Sequence, residues 1–134
     1  MKWPTIEQFS AMCSLPPGYR FEALKRADIP ALIAAVQRWH PDIAVGGGSC
    51  YLREDFYDRY VQLDSESEKP IIVCLFRHGD DLAGMWSWEQ EPDALTLYAR
   101  LIVIDPAHRS AKLASKVMPL AELAGRAMGA EFFF

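Results

Sequence analysis

The sequence predicts a mixed α/β (α+β) domain, one mixed sheet flanked by helices. Three observations carry this. Strand-length apolar runs, PIIVCLF, LAGMWSWE and LTLYARLIVI, succeed one another between Pro70 and Ile104 with short turn signals between them. Segments of helical periodicity stand before and after that block. The last strand, helix and strand make a βαβ step, so those two strands run parallel while the hairpin strands run antiparallel.

A chain of 134 residues has room for one domain. Hydrophobic residues make up 51% and charged residues 24%, the balance of a globule rather than a disordered tail. With 14 basic and 18 acidic residues the net charge is −4. That excludes broad nucleic-acid binding, which needs a basic surface. No apolar run approaches the roughly 20 residues needed to span a bilayer, so no membrane partner is expected. Pro4, Glu7 and Gln8 interrupt any signal-peptide core near the start. Cys13, Cys50 and Cys74 are odd in number and far apart, which weighs against a disulfide framework and for a cytoplasmic setting.

Residues 1–18 read as a helical appendage, a short helix from about Thr5 to Cys13 closed by Pro16-Pro17-Gly18. Residues 19–134 form the main domain. YRFEAL (Tyr19 to Leu24) alternates like a strand. Asp28 caps a helix carrying Ile29, Leu32, Ile33 and Val36 at helical spacing, with Pro30 tolerated in the first turn. Pro41 stops that helix near His40. Gly46-Gly47-Gly48 lack the Gly-Lys-Ser/Thr ending of a nucleotide loop and read as a flexible connection. A second helix is expected from about Leu52 to Gln62, with Leu52, Phe56 and Tyr60 on one face. His78-Gly79-Asp80-Asp81 is the turn of a hairpin, and Leu95 to Ile104 is the longest strand, ended by Asp105-Pro106. A helix is expected from Ser110 to Met128, striped by Leu113, Val117, Leu120, Ala124 and Ala127 and bent at Pro119. Ala130 to Phe134 begins another buried strand.

The stretch LYARLIVIDPAHRSAKLASKVM, Leu97 to Met118, carries the chemistry. A long strand, a tight turn and a helix start present backbone N–H groups and a positive dipole end together, an arrangement suited to a phosphate or diphosphate. Arg109 and Lys112 add positive charge there. Glu89 suits the role of a base, or is an ordinary surface carboxylate. Tyr98 either packs or faces a substrate cleft. Trp86 and Trp88 share a strand face, as packing or as pocket lining. His40, His78 and His108 have no metal spacing with one another or with the cysteines, so no metal is expected.

This segment resembles the core motif of the GCN5-related N-acetyltransferases (GNAT family), Gln/Arg-x-x-Gly-x-Gly/Ala. The aligned residues are Arg109, Ser110, Ala111, Lys112, Leu113 and Ala114. Arg109 and Ala114 match, and Lys112 stands where the family has a glycine. The strand YRFEAL and the helix opening Ala27-Asp28-Ile29-Pro30 look like the family as well. The resemblance implies a GNAT-like fold, here lacking the final helix and two strands, with a homodimer to cover the open sheet edge. It implies acetyl-CoA as donor and a small-molecule or peptide primary amine as acceptor. Ile102, Val103 and Ile104 would pair with the pantetheine arm, and the N–H groups of Arg109 to Ala114 would cradle the diphosphate. Glu89 and Tyr98 are the catalytic candidates. The alternative is a catalytically degenerate acyl-CoA-binding or protein-interaction module.

Overall fold

The apolar run that begins after Pro70 is an inner strand of a five-stranded sheet. The computed structural model describes residues 15–41, 48–63, 69–90, 96–113 and 132–133. The strands are β1 (Tyr19–Ala23), β2 (Ile71–His78), β3 (Asp81–Gln90), β4 (Thr96–Ile104) and β5 (Phe132–Phe133), in the spatial order β1-β2-β3-β4-β5. The first four pair antiparallel, and β4 pairs β5 in parallel, as the βαβ step requires. The expected appendage helix falls in residues outside those described.

Both faces of the sheet are covered, which is why β2 is apolar without alternation. One face carries Val73, Leu75, Met85 and Val103 against α1 (Ile29–Trp39) and α2 (Glu54–Tyr60). The other carries Ile72, Cys74, Phe76, Trp86 and Trp88, with Leu113 packed on it. Trp86 and Trp88 are buried in that second layer, their ring centroids 3.7 Å apart. Burying such side chains stabilises by roughly 1.5–3 kcal/mol each.

The β2–β3 hairpin closes through the pair His78–Asp81, with Gly79 at φ +60° supplying the left-handed residue of a two-residue turn. Between β3 and β4 the register steps from Ser87–Leu101 to Trp88–Ala99, leaving Arg100 as the extra residue of a bulge.

Three expectations are corrected. Asp28 precedes α1 as expected but makes no side-chain cap; its carboxylate accepts from the Lys25 N–H at 3.2 Å and from Arg77 Nη2 at 3.2 Å. The second helix is shorter than the spacing suggested. Arg53 is extended and divides a 3-10 turn, Ser49–Leu52, from α2, and β-branched Val61 leaves the helix to bridge Ile71. Its buried residues are Phe56 and Tyr57, while Tyr60 is 48% exposed. Finally, the helix expected from about Ser110 opens three residues later, at Leu113. Pro106–Ala111 is a 3-10 turn that ends at Lys112. Asp105 accepts from the Ala107 N–H and Pro106 fixes φ at the first position, so the helical turn begins directly after β4. The expected stripe beyond Leu113, with Pro119, lies outside the described residues.

Candidate functional site

A cavity of about 440 Å³ opens beside the C-terminal half of β4. It is lined by Trp39, His40, Leu101, Ile102, Val103, Ile104, Arg109, Lys112 and Leu113. β4 pairs with β5 at Thr96 and Leu97, and with β3 along its other edge as far as Ile104. Among the described strands, the β5-side edge of β4 from Leu101 to Ile104 therefore has no partner. Apart from the Ile104 carbonyl, which accepts from Arg109, an edge of this kind suits an extended ligand.

The turn after β4 sets the charge of the site. Arg109 folds back, its Nε donating to the Ile104 carbonyl at 3.2 Å, so the guanidinium is anchored to the strand end. Lys112 has φ 57° and ψ 40°, the left-handed conformation that glycine adopts without strain. A glycine would fit that position for a backbone reason alone. The Lys112 N–H donates to the Arg109 carbonyl at 3.1 Å and the His108 N–H to the Asp105 carbonyl at 2.8 Å, so both amides are used inside the turn.

Asp105 joins this turn to α1. Its Oδ1 accepts from the Ala107 N–H at 2.8 Å and its Oδ2 from Trp39 Nε1 at 2.9 Å. The Ala107 N–H bond, helped by Trp39, His108 and Arg38 and opposed by slight burial, holds its carboxyl below the usual carboxylate range. On the far side of the turn, Tyr19 Oη lies 2.8 Å from His108 Nδ1, and the His78 and His108 rings are 5.4 Å apart.

A second polar cluster sits at the bulge. Arg100 donates from Nη1 to Glu89 Oε2 at 2.8 Å and from Nε to Tyr51 Oη at 3.1 Å. Burial pushes the Tyr51 phenol up, against the opposing pull of Ser87 and Arg100. The guanidinium carbon lies 5.9 Å from the Tyr51 ring centroid and 6.0 Å from that of Phe56.

Of the residues singled out from sequence, Ile102, Val103, Ile104, Arg109, Lys112 and Leu113 meet in the wall of one cavity. Ser110 and Ala111 belong to the same turn but do not line it. Ala114 lies outside the described residues. Glu89 and Tyr98 are register partners across β3 and β4, and Glu89 does not line the cavity. Sequence reasoning missed Trp39, His40 and Leu101 as lining residues, and Asp105 as the bridge. The one available signal was Asp105 before Pro106, an N-cap pattern read only as a strand end.

No family model matches the sequence, and no curated protein matches it in sequence. Solved structures do match in shape. An acetyltransferase from Trypanosoma brucei superposes with a TM-score of 0.58 at 17% identity, over 87% of this chain and 80% of that one. Glucosamine-6-phosphate N-acetyltransferase from Arabidopsis thaliana gives 0.59 at 15% identity, over 87% and 80%. PaiA N-acetyltransferase from Thermoplasma acidophilum, in complex with coenzyme A, gives 0.59 at 12% identity, over 83% and 74%. The chain has the GCN5-related N-acetyltransferase fold.

Proposed function

We propose that the chain is an N-acetyltransferase that moves an acetyl group from acetyl-CoA to a primary amine. The observation that carries this is the cavity beside the C-terminal half of β4, walled by a strand edge without a partner among the described strands and by Arg109 and Lys112. In this reading the Leu101–Ile104 edge pairs with the amides of the pantetheine arm, and the two cations face the diphosphate. The proposed amine acceptors are small molecules or peptides. The similar structures support that reading, since they include an enzyme for an amino sugar phosphate and one bound to coenzyme A.

The chemistry needs no nucleophilic side chain. The acceptor nitrogen attacks the thioester carbonyl, a C–N bond forms, the C–S bond breaks, and the thiolate leaves. One proton must be removed from the attacking nitrogen and one supplied to sulfur. Positioning does most of the rest. We assign proton removal to Glu89, the carboxylate beside the bulge, with Tyr98 opposite it in register. Arg100 holds that carboxylate in place.

Titration calorimetry with acetyl-CoA is the direct test. Binding in the micromolar range with a rise in melting temperature is expected. No heat and no thermal shift at millimolar ligand would end the proposal.

A further inference from the structure

We propose that Asp105 is a positioning residue for the donor site, one carboxylate that fixes the distance between the two walls of the cavity. The inference rests on the acetyl-CoA reading and adds a residue that never touches the donor. One wall is the C-terminal end of α1, with Trp39 and His40. The other is the turn that carries Arg109 and ends at Lys112. Oδ2 holds the first through Trp39 Nε1 and Oδ1 holds the second through the Ala107 N–H. The residue itself is fixed to the sheet, since the Asp105 N–H donates to the Ala83 carbonyl at 2.8 Å. Trp39 is 5% exposed and packed in the core between α1 and the sheet, so its indole transmits the tether to a rigid layer.

Electrostatics alone argues the other way, and this makes the inference decidable. A carboxylate beside a site for a polyanion repels the ligand. Its removal should then tighten binding. A carboxylate is nevertheless the group that accepts on both oxygens at once; an amide has one acceptor oxygen and a donor in place of the second. Asp105→Asn therefore keeps the shape, removes the repulsion and loses one tether.

The experiment measures coenzyme A affinity, and kcat and KM with an amine that is turned over, for wild type, Asp105→Asn, Trp39→Phe and the double variant. Near-UV circular dichroism checks that each variant is folded. Positioning predicts that Asp105→Asn weakens coenzyme A binding about tenfold, the size expected for losing a charge-assisted bond. It predicts a raised KM for acetyl-CoA with kcat at saturating donor retained. Trp39→Phe should weaken binding similarly, and the double variant should be no worse than the poorer single one. Unchanged or tighter binding by Asp105→Asn overturns the positioning role. Hydrogen exchange in the free protein supplies a readout without ligand: Trp39→Phe should speed exchange at the Ala107 amide, and an unchanged rate there also overturns the role. If wild type binds no coenzyme A while Ala107 exchange still responds to Trp39→Phe, the donor reading fails and the tether stands.

Discussion

The Tyr51 hydroxyl donates to Ser87 Oγ at 2.7 Å inside an otherwise apolar layer. Ser87 is 0% exposed, the fully buried polar side chain among the described residues, and the same phenol oxygen accepts from Arg100 Nε. One hydroxyl thus satisfies a core serine and a half-buried cation. Tyr51→Phe leaves both short of a bond and should destabilise by about 2 kcal/mol. A drop in melting temperature of about 8 °C is expected. An unchanged midpoint would show that the phenol is not needed there.

Gly84 faces β4 where no side chain fits. A Cβ there would lie 2.6 Å from the Val103 carbonyl oxygen and 2.8 Å from Ile104 Cδ1. The first obstacle is main chain and cannot swing aside. Gly84→Ala should destabilise by about 2 kcal/mol and weaken coenzyme A binding, because it displaces the strand that walls the cavity. Denaturant melts and calorimetry read the two effects separately. A neutral result on both would contradict the close β3–β4 approach.

Lys112 combines backbone strain with a useful charge. Its left-handed conformation costs about 1 kcal/mol relative to glycine. Lys112→Gly should raise the melting temperature by a few degrees, about 4 °C by the usual scaling, while coenzyme A affinity falls about fivefold. Lys112→Asn, which tolerates the same backbone, should show the affinity loss with less stabilisation. Tighter binding by both variants would mean that the lysine side chain obstructs the site.

Glu89 is the assigned base. Glu89→Gln should lower kcat about 100-fold and leave the KM for acetyl-CoA unchanged. A kcat within about twofold of wild type would reduce the Glu89–Arg100 pair to a structural one, whose exposed geometry is worth under about 1 kcal/mol.

Glu22 predicts a pH effect on stability. Burial raises its pKa, but bonds and charges from Arg77 and Arg20 outweigh this and hold the carboxyl below its ordinary value. A group depressed in the folded state adds stability above its unfolded value, near 4.3, and loses it as the pH falls through the folded value. Glu22→Gln should melt lower than wild type at pH 7, with the two curves converging in acid as the pH falls through the folded-state value. Parallel curves would show that Glu22 contributes nothing through its charge.

The sheet was legible because its signals are local. Runs of four to eight apolar residues, a Gly79 turn and the Asp105-Pro106 stop need no knowledge of distant neighbours. The β4 side of the cavity was legible for the same reason, since Ile102 to Lys112 is one continuous segment. The opposite wall was not. Trp39 meets Asp105 across 66 positions, and Tyr51 meets Arg100 across 49. Nothing in the periodicity of α1 says which core tryptophan will reach a carboxylate. The helix expected from about Ser110 opens late for a reason of turn chemistry: spacing counts residues, and cannot see that Lys112 turns left-handed.

The bulge at Arg100 absorbs one residue of β4 without moving its neighbours between layers. On its C-terminal side Leu101 and Val103 join the layer under α1, while Ile102 and Ile104 join the layer under Leu113. Deleting residue 100 would close the bulge, with Ser87–Leu101 and Trp88–Ala99 then following one another in regular pairing, so each set would keep its layer. A single in-frame codon loss at that position would cost β4 the contacts of Arg100 with Glu89 and Tyr51 and leave the pairing of the strand intact.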